Sequence, residues 1–320
     1  MKSIGFIISH KENENRRALL PVDIRTCINH PEALFFEKGY GEVLGIKDDE
    51  YLAAGCHMVD RDIALTKDIV CDPKIGDAEY LDKLHAQTIF GWVHAVQNKD
   101  IADKIINGTL TAIVWEDMYE DGRHTYYRNN EIAGEAAIMH AFLRHGIFPY
   151  GQKVAVLGRG NAAMGAIRAL HYLCADVTVY DRRTEKQFQK NLPLYDVIVN
   201  AVLWDTKRID HIINYEDLKR MKAGSMIVDI SCDHNGAIES SVPTTIQNPD
   251  YMMEGVRHYV VDHTPSLVYK TASMEISVAT APYINDLIEE NFNQTLDKAT
   301  CIRDGIIIDQ RIIEYNQLHS

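Results

Sequence analysis

Short apolar runs alternate with amphipathic stretches along the first half of the chain. Apolar runs predict buried strands, and they lie at residues 4–8, 33–36, 69–71, 88–93 and 110–115. Helical spacing of apolar residues predicts short helices between them, at 21–27, 51–55 and 101–106. Pro21 is suited to the first turn of its helix, and Asn107-Gly108 to the end of the last one. This alternation is typical of a parallel sheet that helices cover.

The second half of the chain continues the alternation. Apolar runs predict strands at 154–157, 176–180, 195–202, 226–230 and 259–261. Helices are predicted at 131–144, 162–173 and 273–290, with Asn130 as the N-cap of the first and Pro282 as a candidate kink in the last. The tail at 305–315 predicts a small hairpin around Asp309-Gln310.

The length of 320 residues exceeds one typical core and predicts two domains of the α/β class, each a parallel sheet with helices on both faces. The polar loop 117–130 marks the first boundary between them. We predict a substrate-binding, catalytic domain from residues 1–128 plus 280–320, and a Rossmann-type dinucleotide-binding domain from residues 129–279. We expect the chemistry in a cleft between the two domains.

A glycine turn follows the strand at 154–157 directly. Gly158 would permit the tight turn, and Gly160 would let a pyrophosphate approach the backbone at the start of the next helix, near Asn161 and Ala162. Ala163 occupies the third position of this G-x-G-x-x-G/A fingerprint. The alternative is a glycine turn in an ordinary α/β domain that binds no nucleotide.

The residues after the strand at 176–180 bear on which cofactor binds. Asp181 stands about 20 residues beyond the glycines, where an acidic residue usually accepts the ribose 2′-hydroxyl of NAD(H). Arg182 and Arg183 follow it, and an arginine there usually binds the 2′-phosphate of NADP(H). The two signals conflict, since a carboxylate close to a phosphate costs Coulomb energy.

Three side chains in the first half follow predicted strands and are candidates for substrate chemistry. Arg16 comes after the first strand, where its guanidinium could hold a carboxylate at two points, although Arg17 is a rival and a solvated arginine the alternative. Lys74 and His94 come at the carboxyl ends of two further strands, where open α/β sheets bind ligands. They could transfer protons there, whereas a surface lysine and a hydrogen-bonded core histidine are the ordinary alternatives.

Further candidates follow strands of the nucleotide-binding half. Asp233 comes after the strand at 226–230 and could face nicotinamide, ribose or substrate; the alternative is an aspartate that caps a turn. His263 and Thr264 end the last predicted strand and could reach the nicotinamide, or could simply form a turn before Pro265.

Composition limits the classes of function. A net charge of −13 argues against binding to nucleic acid or to an anionic membrane. We find no apolar run long enough to span a bilayer, and the apolar N-terminal stretch is too short for a signal peptide. The six cysteines form no C-x-x-C pair, which is typical of reduced thiols in a cytoplasmic protein. No metal-binding motif, Walker loop or nucleophilic serine elbow is present.

Several of these segments, in the same order, resemble the alanine dehydrogenase family, which includes the transhydrogenase nucleotide domain and saccharopine dehydrogenase. The segment 11–21 resembles its N-terminal signature, Lys74 falls near the family's catalytic lysine with local spacing different by about one residue, and His94 matches its catalytic histidine. The segment 229–233 resembles the block whose second aspartate lies at the active site. The segment 261–266 resembles the saccharopine branch more than the alanine branch.

Within this family, the blocks at 15–21, 92–98 and 180–185 look most like an opine-type branch. That branch condenses pyruvate with the side-chain amine of ornithine or lysine and reduces the imine with NADPH. The resemblance implies that Arg16 holds the pyruvate carboxylate, with Lys74 assisting, and that Lys74 and His94 shuttle protons. It also implies that Asp233, and with it Glu239, positions the amine or the ribose. A homo-oligomer is the family's expectation.

Two other functions remain open. One is an NAD-dependent alanine or saccharopine-type dehydrogenase, which Asp181 favours. The other is a nucleotide-binding regulator without turnover, which the joint presence of Lys74 and His94 disfavours.

Overall fold

The computed structural model describes residues 1–205, 207–233 and 235–318. They form two compact units, one of Met1–Tyr127 with the described residues from Tyr269 onward, the other of Arg128–Val268. The described strands, in chain order, are β1 (Ile4–Phe6), β2 (Leu34–Glu37), β3 (His57–Val59), β4 (Ile69–Cys71), β5 (Thr88–Gly91), β6 (Thr111–Val114), β7 (Tyr119–Glu120), β8 (Arg123–His124), β9 (Lys153–Leu157), β10 (Asp176–Tyr180), β11 (Val197–Asn200), β12 (Met226–Asp229), β13 (Asp250–Met253), β14 (Val256–Tyr259), β15 (Thr300–Arg303) and β16 (Ile306–Ile307).

The described α-helices complete the list of elements, and short 3-10 turns connect several of them. In chain order, the helices are α1 (Pro21–Cys27), α2 (Asp48–Ala53), α3 (Arg61–Ala64), α4 (Lys99–Asn107), α5 (Tyr127–His145), α6 (Asn161–Tyr172), α7 (Glu185–Asn191), α8 (Tyr269–Glu289), α9 (Gln294–Lys298) and α10 (Gln310–Leu318). None of the helices in the described ranges is both long enough and apolar enough to cross a bilayer.

The first unit is built on one sheet with the strand order β16-β15-β6-β5-β4-β1-β2-β3. The strands from β6 to β3 pair in parallel, whereas β15 runs antiparallel to both β6 and β16. Side chains alternate between two apolar clusters: Ile69 and Cys71 belong to one and Val70 to the other. Both faces of the sheet are therefore buried, as parallel sheets require.

The second unit has a sheet with the order β10-β9-β11-β12-β14-β13, parallel except for β13. Strands β10 and β11 lie on opposite sides of β9, so the direction of strand order reverses there. Such a reversal opens a crevice at the carboxyl ends of the strands, where Rossmann-type folds bind nucleotides. The predicted fold class, two α/β domains with a Rossmann-type second domain, is confirmed.

The prediction for the tail is wrong. The hairpin turns at Asp304-Gly305, where both residues have positive φ angles of 49° and 74°, and it joins β15 to β16. Asp309, predicted to lie in the turn, instead accepts a hydrogen bond from the Arg311 amide at 2.9 Å, just before α10. Asp-Gly suits the left-handed turn, and the Asp309 contact satisfies an amide that would otherwise lack a partner at the helix start.

Two other boundaries also differ from the prediction. Helix α5 begins at Tyr127 rather than after Asn130. Within its first turns Arg128 donates to Glu131 at 2.7 Å, an i,i+3 pair that favours helix at polar positions. The last predicted strand lies earlier, as β14, because the antiparallel strand β13 pairs with it through Val256 and Tyr259.

Candidate active site

The glycine turn at the end of β9 has the geometry of a nucleotide-binding loop. Gly158 adopts a φ of +109°, and an added Cβ would lie 2.6 Å from the carbonyl oxygen of Ala201. Around Gly160, by contrast, no described atom would lie within 4 Å of an added Cβ. Gly160 is the N-cap of α6, and among the described residues no side chain caps the helix there. Open space in front of uncapped helix amides suits a pyrophosphate.

Close packing of α6 depends on Gly165 and not on the third position of the fingerprint, which Ala163 occupies. Ala163, in the third fingerprint position, is fully buried. The helix instead approaches α5 at Gly165, where an added Cβ would lie 1.8 Å from the Glu131 carbonyl oxygen. Gly134 on α5 is equally restricted, since its Cβ would lie 2.0 Å from the Ala162 carbonyl.

A pocket opens beside the glycine turn, at the carboxyl ends of β9, β10 and β11. Gly158 and Asp181 both line it, so the turn and the predicted ribose-binding position share one cavity. The remaining lining residues mix apolar side chains with arginine–carboxylate pairs: Leu157, Tyr180, Arg182, Glu185, Phe188, Val202, Leu203, Trp204, Asp205, Arg208 and Ile212. The arrangement fits the adenosine part of a dinucleotide.

Both carboxylate oxygens of Asp181 accept hydrogen bonds from nearby residues. One carboxylate oxygen, Oδ2, accepts from Arg159 Nε at 3.0 Å. The other, Oδ1, accepts from the Arg183 amide at 3.0 Å and from the Thr184 hydroxyl at 3.2 Å. The hydrogen bond from Arg159 and these additional donors lower the pKa of Asp181. Arg182 pairs with Asp205 at 2.8 Å, and Arg183 is exposed.

In the first unit, Arg16 is buried and held in a fixed orientation. Its Nε and Nη2 donate to the two oxygens of Glu14 at 2.8 and 2.6 Å, and its guanidinium lies 4.9 Å from the Trp92 ring centroid. Burial opposes ionisation of Glu14, but the adjacent Arg16 charge and hydrogen bonds hold the pKa of that carboxyl below its usual value. The rival Arg17 donates instead to the backbone carbonyls of Tyr40 and Arg16.

Lys74 lies just beyond β4 and is also buried. Its amide donates to Asp72 Oδ1 at 2.8 Å, and the Tyr80 hydroxyl donates to the other oxygen at 2.8 Å. Burial, with a contribution from the charge of Glu14, raises the pKa of Asp72 to about 6. The Lys74 ammonium lies 3.8 Å from Asp77, which also receives a hydrogen bond from Lys11 at 2.8 Å.

His94 follows β5 in a strained backbone conformation, with φ at +57°. The Glu116 carboxylate stabilises it, because Oε1 accepts from the His94 amide at 2.6 Å and Oε2 from the Val93 amide at 3.2 Å. Desolvation by surrounding protein atoms lowers the pKa of His94, and the Lys74 charge lowers it further while Glu116 opposes the change. The side chain nevertheless remains exposed to solvent.

The structure therefore brings together three of the predicted residues at one edge of the first sheet. The Lys74 charge acts on both Glu14, the partner of Arg16, and His94. Sequence reasoning missed Glu14 and Glu116. Glu116 had a usable signal, since it directly follows the predicted strand at 110–115 and so lies at the same carboxyl edge.

Asp233 belongs to a loop of the second unit that the buried Asp229 organises. Asp229 Oδ1 accepts from Asn200 Nδ2 at 2.9 Å and from the amides of Ser231 and Cys232 at 3.1 Å. Burial and the charge of Asp229 raise the pKa of Asp233 to about 7. A carboxyl group with that pKa can exchange a proton near neutral pH.

The remaining predicted residues of the second unit have local partners. The buried His263 ring lies 2.6 Å from Asp262 Oδ1, and the Thr264 hydroxyl donates to the Ala133 carbonyl at 2.9 Å. The Glu239 carboxylate accepts from the Tyr215 amide at 2.6 Å. Within the described ranges, no group of three or more His, Cys, Asp or Glu residues could hold a metal ion.

Comparisons with known proteins find the same family along most of the chain. Residues 9–127 match the family model "Alanine dehydrogenase/PNT, N-terminal domain", and residues 182–316 match the corresponding C-terminal domain. N(5)-(carboxyethyl)ornithine synthase of Lactococcus lactis subsp. lactis is 31% identical, over 86% of this chain and 92% of that protein. The enzyme of the same name from Clostridium botulinum is 31% identical, over 88% and 93%.

More distant relatives share the fold. Alanine dehydrogenase 1 of Staphylococcus aureus is 25% identical, over 94% of this chain and 91% of that protein. Among solved structures, an L-alanine dehydrogenase aligns with a TM-score of 0.80 at 22% identity, covering 99% of this chain and 100% of its own. A transhydrogenase from Sinorhizobium meliloti aligns with a TM-score of 0.76 at 17% identity, over 96% and 100%.

Substitution of Gly160, the N-cap of α6, and of Gly165, within the helix, should have different effects on cofactor affinity and on stability. Gly160→Ala should leave the free energy of unfolding within about 0.5 kcal/mol of the parent, because the added methyl enters open space, yet lower dinucleotide affinity roughly tenfold or more. Gly165→Ala should cost about 2 kcal/mol or more, because its methyl meets the backbone of α5. Urea denaturation and calorimetric titration with NADPH and NADH measure both quantities. Equal loss of stability in the two variants would contradict this division.

The raised pKa of Asp233 predicts a pH-dependent stability. The folded protein favours the protonated carboxyl, whereas the unfolded chain ionises near 3.8, so stability falls as pH rises from about 4 to about 7. Asp233→Asn should therefore be the more stable protein at pH 8, by up to about 4 kcal/mol, and the difference should shrink towards pH 5. Denaturant titrations across that range measure it, with the exposed Asp176→Asn as control. A difference that did not change with pH would contradict the assignment.

Proposed function

This chain belongs to the alanine dehydrogenase/PNT family of oxidoreductases acting on CH–NH bonds, and from that premise we propose that it condenses pyruvate with the side-chain amine of ornithine or lysine. Reduction of the resulting imine gives N(5)-(1-carboxyethyl)ornithine or the corresponding lysine product. The observation that supports this most strongly is the cluster of Arg16, Lys74 and His94 at one edge of the first sheet. The names of the relatives at 30 and 31% identity agree with it.

We assign the pyruvate carboxylate to Arg16. A buried guanidinium that Glu14 and Trp92 hold in one orientation can bind a carboxylate with little loss of side-chain entropy. Glu14 neutralises part of its charge, so keto-acid binding would also draw on the Lys74 ammonium.

We assign proton transfer and charge stabilisation to His94 and Lys74. The amine nitrogen attacks the keto carbon, the carbonyl oxygen gains protons and leaves as water, and a carbon–nitrogen double bond results. A neutral His94 can accept the proton that the attacking nitrogen loses, since its pKa lies below the usual histidine value. Lys74, close enough for its charge to act on His94, can stabilise the developing charge on the oxygen. Asp233, on the second unit, is assigned to the amino substrate.

The second unit is assigned to cofactor binding. When bound, the nicotinamide dinucleotide supplies the hydride that reduces the imine carbon. Gly158, Gly160 and the first amides of α6, from Asn161 and Ala162, would hold its pyrophosphate, and the neighbouring pocket its adenosine. We propose NADPH as the cofactor, because Asp181 is neutralised by Arg159 and lies among further arginines.

An NAD-dependent alanine or saccharopine-type dehydrogenase is the second candidate. Asp181 is the observation that favours it, since an acidic residue at this position usually accepts the ribose hydroxyls of NAD(H). One assay separates the candidates: pyruvate with ammonium, ornithine or lysine, each with NADPH or NADH, followed by cofactor oxidation. We expect turnover with a basic amino acid and NADPH. Turnover with ammonium alone would favour the alanine dehydrogenase, and no turnover with any pair would contradict both.

Arg16→Lys tests the carboxylate anchor. The lysine keeps the charge but loses the two-point contact with Glu14 that orients the guanidinium, so the KM for pyruvate should rise roughly tenfold while affinity for NADPH stays unchanged. Arg25→Lys, at an exposed position of α1, is the matched control. An unaltered KM for pyruvate would exclude Arg16 as the anchor.

His94→Ala tests proton transfer. The variant should still bind NADPH but lose about 10²-fold or more in kcat. In the parent enzyme, kcat/KM should fall on acidification only below the usual histidine range, because the pKa of His94 is lowered and its neutral form is the active one. The variant should lack this acid limb, whereas His85→Ala, at an exposed position, should retain it. Full turnover in His94→Ala would remove this residue from the scheme.

A further inference from the structure

We infer that Arg159, between the two glycines of the nucleotide loop, is the residue that selects a cofactor with a 2′-phosphate. In this arrangement Arg159 neutralises Asp181 through Nε and offers its two remaining nitrogens to the phosphate, with Arg183 as the second phosphate ligand. The inference rests on the proposed function only in placing a dinucleotide at the glycine turn, and it identifies how the chain distinguishes NADPH from NADH.

The first support is that both carboxylate oxygens of Asp181 already accept hydrogen bonds from the protein, so this side chain has a structural role in its own turn. Oδ2 accepts from Arg159, and Oδ1 accepts from the Arg183 amide and the Thr184 hydroxyl. The Asp181 amide in turn donates to the Thr184 hydroxyl oxygen at 2.9 Å. These contacts make Asp181 a cap of the turn that leads into α7. An aspartate that recognises NAD(H) needs the opposite, a carboxylate open to both ribose hydroxyls.

The second support is the geometry of Arg159. A guanidinium has donors along two sides, and Arg159 uses Nε for Asp181. Its Nη1 and Nη2 form no hydrogen bond with any described residue, and the side chain is 62% exposed. One arginine can therefore hold the carboxylate on one side and a phosphate on the other. The phosphate would meet an ion pair rather than a bare carboxylate, which removes the Coulomb conflict that the sequence presents.

The third support comes from the other arginines around the pocket, which differ in the partners that their guanidinium nitrogens already have. All three guanidinium nitrogens of Arg208 donate, to Glu185 and Asp210. Arg182 pairs with Asp205, and both of these residues line the pocket that fits the adenosine. The guanidinium of Arg183 has no hydrogen bond or ion pair among the described residues, although its amide is bound to Asp181. Arg182 uses only Nη2 for its pair with Asp205, but it lies on the adenosine pocket. We therefore assign the 2′-phosphate to Arg159 and Arg183, which are the two arginines hydrogen-bonded to Asp181 itself.

The test uses two fragments that differ only in the 2′-phosphate, 2′,5′-ADP and 5′-AMP. Calorimetric titration of the full chain measures the affinity for each. The parent protein should bind 2′,5′-ADP more tightly than 5′-AMP. Arg159→Ala should weaken 2′,5′-ADP roughly tenfold or more and leave 5′-AMP within about twofold, since only the phosphate contacts are lost. Arg159→Lys, which keeps the charge without the fork, should give an intermediate ratio.

Matched variants separate this effect from a general loss of charge. Arg183→Ala should lower the ratio in the same direction as Arg159→Ala. Arg182→Ala should change the affinities for both fragments alike, and Arg220→Ala, which pairs with Asp217 outside the pocket, should change neither. Circular dichroism of each variant checks that it folds. We expect the Arg159 variants to fold, because this side chain is exposed.

The inference is overturned if Arg159→Ala keeps the parent ratio, if Arg182→Ala lowers the ratio more, or if the parent does not prefer 2′,5′-ADP. Because the fragments contain neither nicotinamide nor substrate, the result is independent of turnover. A ratio that falls as expected in a protein without pyruvate–amine turnover would leave this inference standing and reject the proposed reaction. Pyruvate–amine turnover together with an unchanged affinity ratio in Arg159→Ala would support the proposed reaction and reject this inference.

Discussion

The parallel pairing of neighbouring strands is the constraint on which the candidate site depends. In parallel register, Leu157 lies opposite both Tyr180 and Asn200, so the residues that follow these strand ends are neighbours in space. Gly158, Asp181 and Ala201 therefore come together although more than 40 residues separate the first from the last. The same constraint acts in the first unit, where Phe6, Cys71 and Phe90 lie in register and the segments of Arg16, Lys74 and His94 leave the same edge.

Buried or partly buried carboxylates then orient the groups that the strand ends bring together. Glu14 fixes Arg16, Asp72 accepts from the Lys74 amide, Glu116 stabilises the backbone of His94, and Asp229 organises the loop of Asp233. Each of these carboxylates accepts from a backbone amide within the loop that it supports. Such contacts restrict the loops more than a side-chain pair alone would, because they define the backbone from which the functional side chain projects.

The carboxylates of the two units fall into two kinds according to the direction of their pKa shifts. Glu14 and Asp181 have arginine partners, and their pKa values are lowered even where burial opposes ionisation. Asp72 is buried and Asp233 is partly buried, each close to another carboxylate, and their pKa values are raised to about 6 and about 7. The first kind stays ionised and orients an arginine, and the second provides groups that can take up or release a proton near neutral pH.

The sequence by itself determined the alternation of strands and helices, the glycine turn and the candidate residues at strand ends. These follow from local properties: apolar runs, the conformational freedom of glycine, and the rule that ligands bind at the carboxyl ends of parallel strands. The strands at 69–71 and 176–180 and the helix from Pro21 to Cys27 agree with the structure residue for residue. The family resemblance also followed from short ordered blocks such as 11–21, and the comparisons confirm it.

Only the tertiary structure decided which side chains pair with one another. The sequence placed Arg182 and Arg183 next to Asp181 but did not point to Arg159, and the structure assigns Arg159 to Asp181 and Arg182 to Asp205. The structure also shows that the close approach of α6 to α5 occurs at Gly165 and not at Ala163. The last hairpin turns at Asp304-Gly305 and not at Asp309. The physical reason is that hydrogen bonds and steric contacts between distant segments depend on distances of a few ångströms, which no local pattern of apolar and polar residues encodes.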